Sequence, residues 1–258
     1  MAPSLLIALI VGGTALAVLA VSDLGGGVVV RASREAASSS PPQSLPRGKS
    51  ARGQPVRAFA LPRQMDRPIL LVVGCIHGNE RAGTEVVRSI RNRAPSVGSI
   101  VAVPNLNPDG LALGTRTNAR GVDLNRNFGS QWRPIGVSGD LEHSGARPFS
   151  EPETRFARRL IRDLRPDATV WFHQQIEPPL VRAWGRSRAA ARAYARRAGA
   201  PFRAVPWLPG SAPNWQNHRF AGASSFVVEL PWGEVADRVI RQHAAALLAL
   251  GARLEPEA

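Results

Sequence analysis

The chain has 258 residues, 44% of them hydrophobic, with 24 glycines and 22 prolines, a composition that fits a packed globular protein and excludes a disordered one. Its formal charge is +14, carried almost wholly by arginine because Lys49 is the only lysine, and such a field admits acidic partners and anionic surfaces. The arginines are scattered over expected helix faces (Arg88, Arg155, Arg192) without interleaved aromatics, so nucleic acid is not expected as a partner.

In chain order, residues 4–21 form an uncharged apolar stretch suited to a signal-peptide core or a single membrane anchor. Ala15-Leu16-Ala17 and Val18-Leu19-Ala20 would each suit a signal peptidase, whereas no basic residue precedes the stretch and Arg31 and Arg34 follow it. The expectation is an exported protein, extracellular or anchored at the cell envelope, touching membrane only through residues 1–21. Residues 22–54 carry turn formers and small polar residues and read as a flexible linker, so the folded domain is expected over 55–258.

Residues 68–76 (PILLVVGCI) are a continuous apolar run, the pattern of a strand buried on both faces. Cys75, the only cysteine, excludes an intrachain disulfide; inside that run it reads as a small buried hydrophobe, with a thiol nucleophile as the weaker alternative. A helix is expected over 80–93 and a strand over 99–103. A polar stretch at 105–150 follows, long enough that a functional loop is expected. Ser150 and Glu153 stand at the spacing of a capping box, which predicts a helix from Glu151. A strand at 167–173, a helix at 186–198, a strand at 223–230 and a helix at 234–253 complete the pattern. This alternation predicts a single α/β domain whose mainly parallel twisted sheet is covered by helices on both faces, with its chemistry at the carboxyl ends of the strands.

His77 and Glu80 (in GCIHGNE), His173 and Glu229 all fall at such strand ends. Two imidazoles and a carboxylate are a usual set for catalytic zinc, which keeps a further position open. His77, Glu80 and His173 are therefore candidate ligands of one zinc ion, with Gly78 allowing a tight turn between the first two; a satisfied polar turn for His77 and Glu80 and a hydrogen-bonded core histidine for His173 are the alternatives on spacing alone. With such a metal, Glu229 would be the general base; without it, Glu229 is an ordinary strand-end charge. Asp109 and Asp123 read as turn formers. His143 and His218 lack ligand-type neighbours at useful spacing and read as surface or loop residues.

HGNE at 77–80, NPDG at 107–110, GTRTNARGVDLNRNF at 114–128, SEPET at 150–154, WFHQQ at 171–175 and VVEL at 227–230 together resemble the zinc carboxypeptidase family, most of all its murein tripeptide amidase branch. The resemblance runs in order over residues 68–250. It implies the same zinc ligands and the same base, adds Arg116 as the group that stabilises the oxyanion, and adds Asn125 and Arg126 as the pair that holds a substrate carboxylate. It also implies a substrate class, a peptide with a free carboxylate from the cell wall. Deacylation of small N-acyl amino acids, as in the desuccinylase and aspartoacylase relatives, and an inactive peptide-binding module are the alternatives. Two departures bear on the pocket. Tyr194 is the only tyrosine and lies before the loop from which the family presents one, where residues 205–217 offer Trp207, Asn214 and Trp215 instead. Gln174 and Gln175 follow His173 where relatives carry Ser or Asp.

Overall fold

Four runs of apolar residues become the centre of a seven-stranded sheet, because a strand buried on both faces must be apolar throughout. The computed structural model describes residues 45–61, 66–93, 95, 97–174 and 179–250; the expected export segment, most of the expected linker and Gln175 lie outside them. Its elements are β1 (Arg47–Lys49), β2 (Pro55–Arg57), β3 (Phe59–Leu61), β4 (Ile69–Val73), α1 (Ala82–Ser89), β5 (Ser99–Val103), α2 (Pro108–Leu113), α3 (Pro152–Leu164), β6 (Ala168–Gln174), β7 (Leu180–Ala183), α4 (Arg188–Ala198), β8 (Phe202–Ala204), α5 (Ala212–Arg219), β9 (Ser224–Leu230) and α6 (Asp237–Leu250). The sheet order is β3-β5-β4-β6-β9-β7-β8. Strands β5, β4, β6 and β9 run parallel. Strand β3 is antiparallel to β5, and β7 is antiparallel to β9 and parallel to β8. The sheet is thus mainly parallel, as expected, with reversed strands on both flanks.

Alternation along each central strand sorts the core into two layers. Leu70, Val72, Val170, Phe172, Phe226 and Val228 pack with residues of α1, α4 and α6. Leu71, Val73, Trp171 and Val227 pack on the other face with residues of α3 and α5. His173 pairs in register with Glu229 and follows Trp171 by two residues, so both side chains project on the α3/α5 face.

Two expectations need correction. Residues 45–54 are not linker: β1 pairs with β2, and the turn between them is held by Ala51 N donating to Glu153 Oε1 (2.8 Å) and Arg52 N donating to Asp109 Oδ2 (2.9 Å). Gly48 is needed because a Cβ there would come within 2.5 Å of the Phe156 ring. The fold therefore begins before Pro55. Nor does a capping box start α3. Its N-cap is Glu151 with no side-chain cap, because Ser150 Oγ donates to Glu151 Oε1 and accepts from Asn127 Nδ2, while Glu153 is turned to the hairpin.

Candidate active site

The turn that carries His77 and Glu80 leaves the carboxyl end of β4 and is held from behind by the NPDG segment. Asn107 caps α2 by accepting from Gly110 N (2.9 Å), while its Nδ2 donates to Ile76 O (3.2 Å) and, at 3.4 Å, to Arg116 O. Gly78 is required by close approach and not by its backbone angles: a Cβ would lie 1.9 Å from the Gly110 carbonyl carbon. Gly78→Ala is accordingly expected to destabilise the fold by about 1–3 kcal/mol, the usual cost of overpacking, read as a lower denaturant midpoint.

One ligand atom from each of His77, Glu80 and His173 lies within 4.8 Å of the others, and all three residues are buried. His77 Nδ1 is 2.9 Å from Glu80 Oε1 and 3.1 Å from His173 Nδ1, and His173 Nδ1 is 2.9 Å from Glu80 Oε2. Both imidazoles thus turn Nδ1 to a common point. Their far nitrogens are also held: His77 Nε2 lies 3.0 Å from Asp123 Oδ1, and His173 Nε2 lies 3.3 Å from Asn125 Nδ2. Such partners fix the ring orientation of metal-binding histidines. Two nitrogens and a carboxylate converging in a buried niche fit zinc.

The charges around this niche set its chemistry. Burial opposes the charged form of Glu80, but the adjacent His77 and His173 hold its carboxyl below the ordinary range. Burial would lower the pKa of His77, yet the Glu80 and Asp123 carboxylates outweigh it and raise it to about 9. A metal must displace that proton. Apparent zinc affinity is therefore expected to rise about tenfold per pH unit up to about pH 9 and then level off; competition titrations against a chelator at several pH values check this, and a flat profile from pH 6 to 9 would contradict it. Cys75 is no nucleophile at neutral pH, since burial and Glu80 push its thiol up to about 12.

A cavity of about 470 Å³ opens beside the niche, lined by all seven expected site residues: His77, Glu80, Arg116, Asn125, Arg126, His173 and Glu229. Arg116 is clamped by Asp123, whose Oδ2 accepts from Nε (3.1 Å) and Nη2 (2.9 Å), and its Nη1 donates to Glu80 Oε1 (3.1 Å). Asn125 Oδ1 accepts from Ala212 N (3.0 Å). Arg126 donates through Nη1 to Asn125 O and through Nη2 to Glu142. Glu229 Oε1 accepts from Arg182 Nη1 (3.1 Å), while its Oε2 is buried without a hydrogen-bond partner among the described residues. That orphaned carboxylate oxygen is costly unless something comes to meet it.

Three residues add to the seven expected at the site. Asp123 does form a turn, accepting from Asn125 N (2.8 Å), but it also joins His77 to Arg116. Its place two residues before Asn125 was the available signal. Glu142 and Arg182 had none, one lying in the long polar loop and the other on a four-residue strand. Glu142 is 58% exposed at its side chain, so its pair with Arg126 is worth only about 0.2–1 kcal/mol. If Arg126 takes a substrate carboxylate, Glu142→Gln is expected to lower KM by roughly 2- to 5-fold with kcat unchanged, checked by steady-state kinetics.

The 205–217 loop divides differently from expectation. Trp207 lines the cavity, whereas Asn214 and Trp215 belong to α5 and are buried. Trp215 packs edge-on to Phe149, and Asn214 bonds Leu208 O. Tyr194 is fully buried with its hydroxyl 2.8 Å from His243 Nδ1. Gln174 does not line the cavity: its Oε1 accepts from Ala82 N at the start of α1, and its Nε2 donates to Pro231 O and Gly233 O. His218 is exposed and bonded to its own helix at Asn214 O, and His143 is half-buried outside the metal cluster.

A family model described as zinc carboxypeptidase matches residues 35–195. The chain belongs to the zinc carboxypeptidase family. It is 33% identical over 148 residues to murein peptide amidase A of Escherichia coli K12, a match that covers 53% of this chain and 61% of that protein; the chain thus spans about three-fifths of that relative. It is 30% identical over 222 residues to murein peptide amidase A of Vibrio campbellii, covering 79% and 85%. Among solved structures, murein-tripeptide amidase from Escherichia coli O157 superposes with a TM-score of 0.63 at 24% identity over 82% of this chain and 92% of that one. Carboxypeptidase A from Helicoverpa armigera gives 0.66 at 18%, over 80% and 66%. At these identities the superpositions speak to the fold alone, a zinc-carboxypeptidase α/β fold.

Proposed function

We propose that the protein is a zinc-dependent hydrolase of a peptide-type amide bond next to a free carboxylate, acting on murein peptides. The observation that carries this is Glu229 Oε2, buried without a hydrogen-bond partner among the described residues, in the same cavity as the His77–Glu80–His173 cluster, Arg116 and Arg126. Zinc held by His77 Nδ1, His173 Nδ1 and Glu80 would supply Lewis-acid activation of a water and of the scissile carbonyl. Glu229 takes the proton of the attacking water on Oε2 and returns it to the leaving amine. Arg116, fixed by Asp123, places a guanidinium where the carbonyl oxygen gains charge. Arg126 and Asn125 hold the free carboxylate, Arg126 through its planar fork, with Glu142 displaced.

A murein substrate is supported by the two murein peptide amidase relatives. Export is part of the same proposal, since wall peptides lie beyond the membrane and residues 4–21 are apolar and uncharged; among the described residues no helix is long and apolar enough to cross a membrane. Incubation with γ-glutamyl-diaminopimelate peptides and with N-acyl amino acids, with and without a chelator, tests the assignment. Chelator-sensitive release of the terminal residue from the peptide is expected. Turnover of acyl amino acids alone would make the protein a deacylase, and no turnover of either would leave a binding module.

A further inference from the structure

Arg182 is the one cavity-lining arginine that the proposed chemistry does not use. Arg182 pairs in antiparallel register with Val227, and residues directly opposite on paired strands share a face. Val227 and Glu229, two apart on β9, share that face as well. Arg182 is therefore rooted about 7 Å from Glu229 along the strand, away from its carboxyl end. From there its Nη1 reaches back to Glu229 Oε1 at 3.1 Å. Among the described residues this is the only hydrogen bond of its side chain, so Nε and Nη2 form an edge of the fork with no partner among them. The side chain is 25% exposed and borders the cavity with Val227, Ser211, Pro213 and Trp207.

With the free carboxylate on Arg126 and the scissile bond beside Glu229, the side chain of the leaving residue has to occupy the rest of that cavity. Beyond the residues already given a role, Leu141, Trp207, Leu208, Pro213 and Val227 make its lining largely apolar; the polar members are Ser211, Glu142, which is paired with Arg126, and the Arg182 guanidinium, the one further cation. We propose that Arg182 is a specificity residue that binds a second carboxylate, carried at the end of the leaving residue's side chain. A guanidinium edge and a carboxylate pair bidentately, which strengthens the contact and fixes its orientation. Glu229 keeps its bond to Nη1 while Nε and Nη2 take the substrate. The inference rests on the amidase reading above and deepens it by naming the substrate's second charge.

The test compares γ-glutamyl-diaminopimelate with γ-glutamyl-lysine, which differ only by the distal carboxylate. The wild-type protein is expected to prefer the former by about 10- to 100-fold in kcat/KM, chiefly through KM, the size of a charge-assisted hydrogen-bond pair. Arg182→Gln brings the ratio close to one, and Arg182→Lys restores part of it. An unchanged ratio in Arg182→Gln, or an equal fall in kcat on both peptides, overturns the inference and leaves Arg182 as a positioning residue for Glu229. Absence of preference in the wild-type protein overturns it without recourse to any variant. Hydrolysis of neither peptide by the wild-type protein instead removes the amidase reading on which the inference stands.

Discussion

Glu229→Gln is expected to lower kcat by about 10²- to 10⁴-fold, the range that a positioned general base contributes, while zinc content stays at the wild-type level. The amide is nearly isosteric with the carboxylate, and the Arg182 contact at Oε1 can still be accepted by the amide oxygen. What disappears is the basic lone pair of Oε2, the buried oxygen without a partner among the described residues. Because Glu229 adjoins the cluster without being one of its three members, the loss should fall on kcat, with KM nearly unchanged. Paired kinetics and elemental analysis on the variant check this. Retention of full activity would mean that another group takes the proton.

His77→Ala should remove both metal and activity. Changing a residue that only orients a ligand typically costs 10- to 100-fold in metal affinity, so deleting a ligand is expected to cost roughly another order of magnitude or more. The effect extends beyond the lost nitrogen. Asp123 Oδ1 would lose His77 Nε2, leaving a fully buried carboxylate held by Arg116 and the Asn125 amide alone. Glu80 would lose one of the two imidazoles that keep it ionised. Zinc content per chain, with activity before and after zinc is added back, separates this variant from Glu229→Gln. An active, metal-loaded His77→Ala protein would dismiss the cluster as the metal site.

The parts of this structure that were legible in the sequence are those that local pattern controls. Ile69–Val73, Ser99–Val103, Ala168–Gln174 and Ser224–Leu230 are buried almost throughout, so their composition announces them. His77, Glu80, His173 and Glu229 were legible because they sit where those runs stop. The β1–β2 hairpin was not. Its residues resemble the linker before them, and its order comes from Glu153 and Asp109, 102 and 57 residues away. The strands Leu180–Ala183 and Phe202–Ala204 are too short to show a period and exist because β9 and β7 offer them edges. For the same reason Arg182 could not be placed beside Glu229, since 47 residues separate them. Ser150 and Glu153 had the right spacing for a capping box but found stronger partners in the tertiary structure. Gln174, a departure from the residues that relatives carry after the histidine, bonds α1 and the 231–233 turn, a role that rests on distant backbone and has no local pattern.

The most direct measurement is a crystal structure of the purified protein with anomalous data collected on either side of the zinc absorption edge. The account predicts one zinc peak at about 2.0–2.2 Å from His77 Nδ1, His173 Nδ1 and a Glu80 oxygen, with Glu229 Oε2 facing it across the cavity. A zinc bound elsewhere, or a metal-loaded active protein in which these three side chains are not its ligands, would contradict it.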